Sequence, residues 1–193
     1  GDLILIVANQ VRPYELTPGD TDKAVQTCMD FLLQDMECGK GMTFRSMRSN
    51  FDRIINTFKA VPVSGKQKIK VGIVGEIYVK YAPLGNNNLA DFLLAEGVEP
   101  VIPGVIDFII FKINNREVDV GLYGGKWIKE KLCHWLQKYV MKYQHAMIDA
   151  LNQSGRFRAP GDFDALHRGI KGYLGDGNKM GEGWLLTAEM LEL

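Results

Sequence analysis

The spacing of hydrophobic positions changes several times along the chain, and each change marks an element. Leu3-Ile4-Leu5-Ile6-Val7 is a continuous apolar run, the pattern of a buried strand. Ala8 to Gly19 reads as a loop, because Pro13 and Pro18 forbid a long helix. Asp20 or Thr21 then caps a helix in which Val25, Cys28, Leu32 and Met36 recur at spacings of three and four, up to Gly39 and Gly41. A further helix runs from Thr43 to near Lys59 on a stripe of Phe44, Met47, Phe51, Ile54, Ile55 and Phe58, and Val61-Pro62 breaks it. Val63 to Lys68 is a polar connector holding Ser64-Gly65, the best internal boundary.

Beyond the connector the pattern becomes that of an α/β unit. Ile69 to Val74 is a β-branched run closed by Gly75, which predicts a strand covered on both faces. The following loop carries Glu76, Tyr78, Lys80 and Tyr81 just past the carboxyl end of that strand, where open α/β sheets place their ligand crevice. Pro83, Gly85 and Asn86-Asn87-Asn88 turn the chain, and one asparagine caps a helix carrying Leu89, Phe92 and Leu93 that stops at Gly97. Val98 to Ile102 is a short second strand, and Pro100 makes it an edge strand or keeps it brief.

Val105 to Ile113 is almost wholly apolar. Periodicity does not decide between helix and strand there, but the preceding Gly104 and the length of the run favour a helix. Asn114-Asn115 and Gly121 to Gly125 read as loop. The longest predicted helix spans Lys126 to Leu151, with Ile128, Leu132, Trp135, Tyr139, Tyr143, Ala146 and Ala150 along one face. Asp162 caps a short helix with Phe163, Leu166 and Ile170. The glycine-rich stretch Gly172 to Gly183 matches neither the P-loop nor the dinucleotide fingerprint, and a flexible linker is its plainer reading. A last helix starts near Gly181 or Glu182 and runs towards Leu193.

Composition narrows the class. Hydrophobic residues make up 46% and charged residues 24% of the 193 positions, an ordinary globular balance with enough chain for a substantial core. Lys plus Arg and Asp plus Glu number 23 each, so no global charge recruits nucleic acid or an anionic membrane. No apolar run approaches the roughly 20 residues of a membrane span, and the opening lacks the basic region and cleavage pattern of a signal peptide. Cys28, Cys38 and Cys133 form an odd, sparse set, which fits a reducing cytoplasm better than a disulfide framework. Cys28 lies on a core-facing helix position. The chain enters Leu3 to Val7 without lead-in, and its last helical pattern has no stop signal. The expectation is a piece excised from a longer protein.

Chemistry-bearing motifs are few. There is no G-x-S-x-G elbow. His134 and His145 fall on a similar side of one helix but about 16 Å apart along its axis, too far to share a metal ion. Arg12 suits a phosphate or carboxylate, with a local salt bridge as the commoner alternative.

Three groups of residues carry a family resemblance. They are Val71-Gly-Ile-Val-Gly-Glu-Ile-Tyr-Val-Lys-Tyr, followed by Asn86-Asn-Asn-Leu and Gly97-Val-Glu-Pro; Arg12-Pro-Tyr-Glu with Gly19-Asp-Thr-Asp; and Gly181-Glu-Gly-Trp-Leu-Leu-Thr-Ala-Glu-Met. Together they resemble the 2-hydroxyglutaryl-CoA dehydratase family, most closely the dehydratase-like half of large CoA-substrate-specific enzyme activases. The resemblance implies a flavodoxin-like three-layer unit over residues 66–193, with a parallel sheet flanked by helices. Residues 1–65, a strand and two helices, would belong to an adjoining α/β unit. It also implies ATP-driven, low-potential electron transfer to the dehydration of a 2-hydroxyacyl-CoA, with partners among other domains of the same long chain, an activase or a dehydratase subunit.

The family's cysteine motifs and ATP-binding motif have no counterpart at matching positions here. A [4Fe-4S] cluster is therefore expected in the full-length protein and not in this stretch, which should be inactive alone. Within the resemblance, Glu76 and Tyr78 face the cluster or acyl-CoA pocket, Asn86 and Asn87 contact ligand or only cap the helix, and Glu182 lines the cluster edge. The alternative is a non-catalytic domain that docks an activase or dehydratase subunit, motivated by the aromatic-rich helix Lys126 to Leu151.

Overall fold

The computed structural model describes residues 1–41 and 43–192. The chain is mostly helical, with one small parallel sheet, and so is a mixed α/β protein. It opens with α1 (Asp2–Val11), where a strand was expected over Leu3 to Val7. The reason lies in what the run packs against. Leu3, Ile4, Val7, Ala8 and Val11 are all buried, and they recur at helical spacing. A continuous apolar run is compatible with either element, and here its stripe continues into the segment read as loop. A 3₁₀ turn over Arg12–Tyr14 follows, with Pro13 in its first turn.

Helices α2 (Asp20–Glu37) and α3 (Phe44–Lys59) form where the periodicity placed them. The α2 amino terminus is capped from outside the helix: the Glu15 carboxylate accepts from the Gly19 and Thr21 amides at 2.8 and 2.7 Å. Thr43 and Ser46 form a reciprocal capping box at the start of α3.

Strand β1 (Lys70–Gly72) pairs in parallel with β2 (Glu99–Val101), Val71 lying opposite Pro100. Burial on both faces over Ile69 to Val74 is not seen. Ile69 is 76% exposed and only Ile73 of the run is deeply buried, because a two-stranded sheet offers too little surface to cover both sides of an edge strand. The expected loop after β1 is instead two short helices, α4 (Ile77–Tyr81) and α5 (Pro83–Asn86), which place Tyr78, Lys80 and Tyr81 on a helical turn. Helix α6 (Leu89–Ala95) completes the crossover before Gly97 at φ +77°.

The apolar run after β2 is helical and longer than its pattern suggested: α7 spans Val105–Tyr123. Asn114 and Asn115 lie inside it, not in a loop, both buried against neighbouring elements, and Asn114 donates to Gln137 at 3.4 Å. Packing along α8 (Trp127–Ser154) overrides their weak helix preference. Asp2 on α1 caps α7 by accepting from the Ile106 amide at 2.7 Å. Helix α9 (Phe163–Gly169), capped by Asp162 through the Ala165 amide at 2.7 Å, and α10 (Gly183–Glu192) close the fold. Leu193, where the predicted last helix ends, lies outside the described residues.

Two apolar cores result. One joins α1, α2 and α3 with Met147, Ala150 and Leu151 of α8 and with Phe157. The other joins Ile110 and Phe111 of α7 with Met141, α9 and Trp184, Leu185 and Ala188 of α10. Ile106 packs against both, so residues on either side of position 65 share apolar contacts. This arrangement has a thermodynamic consequence. All three tryptophans lie beyond position 65, at Trp127, Trp135 and Trp184. Phe58→Ala, a truncation of a fully buried ring in α3, should cost about 3–5 kcal/mol and lower the tryptophan-fluorescence melt together with the far-ultraviolet circular-dichroism melt. A tryptophan transition left unmoved would show that the two parts unfold separately.

Candidate functional site

A hollow of about 320 Å³ lies between α1, the sheet, the 158–160 loop and α10. Its floor follows from the parallel pairing. Lys70 and Gly72 project from one side of β1, and the chain leaving β2 through Ile102, Pro103 and Gly104 forms a rim past the carboxyl end of that strand. Helix α1 supplies Ile6, Asn9 and Gln10, and α10 supplies Glu189 and Glu192. The loop is clamped onto α1, since Gln10 donates to the Arg158 carbonyl at 2.9 Å and accepts from the Arg158 amide at 2.8 Å.

Two buried polar atoms of residues lining this hollow have no partner among the described residues: Asn9 Nδ2, a donor, and Glu189 Oε2, an acceptor. A buried donor and a buried acceptor left unmet cost free energy unless water or a ligand meets them. The other Glu189 oxygen is held at 2.8 Å by the ammonium of Lys80, a side chain with 1% exposure. Glu182 stands 3.8 Å from the same ammonium and accepts from the Ile77 amide at 3.1 Å. Burial pushes the Glu189 carboxyl above its ordinary range, and Lys80 pulls it back. Tyr81, beside the pair, donates to the Pro103 carbonyl, which ties α4 to the rim.

A second hollow of about 380 Å³ adjoins the first and shares Gln10, Lys70, Glu99 and Arg158 with it. Lys66, Lys68, Lys70, Arg156 and Arg158 surround it, against one carboxylate, Glu99. Arg156 is committed to the backbone carbonyls of Lys59 and Val61 at 2.7 and 3.0 Å. Glu99 is shared between Tyr14, at 2.6 Å, and Arg158, at 3.4 Å. Burial raises the Tyr14 hydroxyl pKa, and the bond to Glu99 adds to the shift. The mouth of the paired hollows therefore carries a surplus of lysine charge, while their inner end carries carboxylates.

The residues singled out from sequence fall elsewhere. Glu182 is buried in the Lys80 cluster behind the cavity wall. Glu76 is the exposed N-cap residue of α4, and its carboxylate lies over Gly181, 2.9 Å from where a Cβ would sit. Tyr78 is largely exposed. Asn86 is used structurally: it donates to the Val79 carbonyl at 2.8 Å and accepts from the Leu89 amide at 3.2 Å. Asn87 is exposed at φ 54°. None of the five lines the cavity. Arg12 pairs with Asp22 in a local salt bridge.

Sequence reasoning noted Asn9 and Lys80 only as loop residues past strand ends and missed Asp107, Arg158, Glu189 and Glu192. A signal existed for two of them. Glu189 falls on the same stripe as Trp184, Leu185 and Ala188, and Asp107 on that of Ile110 and Phe111; a carboxylate on an apolar face is an expensive placement.

The residues present do not fit an iron–sulfur cluster. Cys28 is buried in the first core, Cys38 is exposed and Cys133 lies on α8, and among the described residues no group of three His, Cys, Asp or Glu side chains is placed to hold a metal ion. Also among the described residues, no helix is long and apolar enough to cross a membrane. No family model, curated protein or solved structure matches the chain.

Asp107 gives the site a pH signature. Burial, with Glu192, Glu189 and Asp2 nearby, pushes its carboxyl up to about 8, while Gln144 donates to it at 2.5 Å. A carboxyl raised on folding stabilises the native state fully below its unfolded pKa of about 3.9, and that contribution is lost as pH rises through about 8. Asp107→Asn keeps an acceptor for Gln144 and removes the titration. The variant should lose less thermal stability than the wild type between pH 5 and about 8. Parallel melting curves over that range would show that Asp107 is ionised in the fold.

Proposed function

We propose that this chain is the thioester-binding part of a cytoplasmic iron–sulfur protein of the 2-hydroxyacyl-CoA dehydratase and activator type. In this reading its parallel strand pair belongs to a flavodoxin-like three-layer unit completed by other domains of the same long chain. A [4Fe-4S] cluster would be held by those domains, and would supply a low-potential electron there. The residues of this chain bind and orient.

One observation carries the proposal: two residues with an unmet buried acceptor and an unmet buried donor line a cavity that adjoins a lysine-rich hollow. A 2-hydroxyacyl thioester has a hydroxyl that donates to Glu189 Oε2 and a carbonyl that accepts from Asn9 Nδ2. The phosphates of CoA meet Lys66, Lys68, Lys70 and Arg158 at the mouth, where no comparable surplus of carboxylates opposes them. Lys80 holds one Glu189 oxygen at 2.8 Å and so fixes the orientation of the carboxylate.

A second reading, a docking domain for an activase or dehydratase subunit, draws on a different observation. The aromatic face of α8 over Ile128, Leu132, Trp135 and Tyr139 is bare, as an interface would be before its partner arrives.

Isothermal titration of the protein with a 2-hydroxyacyl-CoA separates the two. The thioester reading expects binding near the micromolar range. Lys70→Glu or Arg158→Gln should weaken it about tenfold or more, the worth of one charge-assisted contact. Heat of binding that is absent, or unchanged in both variants, would leave only the docking reading.

A further inference from the structure

We propose that the amino-terminal half of α8 is the seat of a partner helix with an apolar seam and acidic flanks. The inference is independent of the thioester reading and rests on a different face of the molecule.

The seam is bare where its continuation is covered. Towards the carboxyl end of α8, α3 packs on the same stripe: Phe44 meets Tyr143 edge to face at 5.4 Å, and Ala146 and Ala150 are buried. Towards the amino end the stripe continues as Tyr139, Trp135, Leu132 and Ile128, which are 47%, 62%, 60% and 61% exposed. The spacing of these four is that of a coiled-coil seam, with Leu132 and Tyr139 at one core position of the heptad and Ile128 and Trp135 at the other. A helix laid end-on to α3 would complete the packing that α3 begins.

Charge selects the occupant. From Lys126 to Tyr143 the helix and its N-cap residue carry five lysines and a single carboxylate, Glu130. Lys129, Lys131 and Lys138 occupy the positions that flank a heptad seam, where interhelical ion pairs set partner choice. An antiparallel second copy would set lysine against lysine, flank against the same flank, and a parallel one would set Lys131 against Leu136 and leave the lysines without acidic partners. Like charges across an interface disfavour the antiparallel pairing. A helix with leucine or isoleucine on its seam and glutamate on both flanks meets the apolar stripe and the lysines together, and its own acidic surplus repels the other copies of itself.

Fluorescence anisotropy with two labelled heptad peptides tests this. One has isoleucine and leucine on the seam and glutamate on the flanks; the other replaces every flanking glutamate with lysine. The intact protein should bind the glutamate peptide in the micromolar range and the lysine peptide at least tenfold more weakly. Trp135→Ala should reduce the first affinity about tenfold, and Lys131→Glu with Lys138→Glu should invert the preference, with circular dichroism unchanged in each case because these side chains are exposed. Equal affinity for the two peptides, or binding of neither, overturns the proposal. So does self-association of the protein through Trp135 in sedimentation, or uptake on phosphatidylserine vesicles without peptide binding.

Discussion

The buried ion pair between Lys80 and Glu189 is the contact on which the arrangement of the site depends. It joins α4, which leaves β1, to α10, more than a hundred residues later. Both side chains have 1% exposure, so neither charge is solvated by water and each is stable only in the presence of the other. With Glu182 nearby the cluster carries more carboxylate than ammonium. Burial first, and the neighbouring carboxylates second, raise Glu189 and Asp107 above their ordinary range. Glu189 Oε2 is left unmet beside the cavity.

That local imbalance sits inside a neutral chain. Lysines and arginines match aspartates and glutamates in number, but the structure separates them. Carboxylates gather at the inner end of the cavity, lysines at its mouth and along the amino-terminal half of α8. Net charge therefore describes this molecule poorly. What matters for recognition is that its cavity is polarised and that one helix is cationic beside a bare aromatic seam.

How much of this was readable beforehand varied with the kind of signal. Helices α2, α3, α8 and α9 were legible because their apolar residues repeat at helical spacing over a polar background. The parallel pair was legible from two short β-branched or Pro-limited runs separated by a crossover. Leu3 to Val7 was not, because an uninterrupted apolar run has no period, and only its packing against α2 and α3 makes it a helix. Asn114 and Asn115 misled because they favour turns locally, whereas α8 holds them in α7. At the site, Glu182 was found but its partners were not. Lys80 and Glu189 lie in different motifs, and nothing local pairs a lysine in mid-chain with a glutamate 109 positions later. The loop after β1 drew attention by the strand-end rule, yet the cavity formed at the exit of β2, because α1 and α10 cover that side of the sheet.

A double-mutant cycle of stability between Lys80 and Glu189 tests this ion pair most directly. Lys80→Met and Glu189→Leu should each lose about 3–5 kcal/mol, since each strands a buried charge, and the double variant should recover at least about 2 kcal/mol of the summed loss. Losses that simply add would show that the two charges do not meet, and the inner wall of the cavity would then have to be built another way.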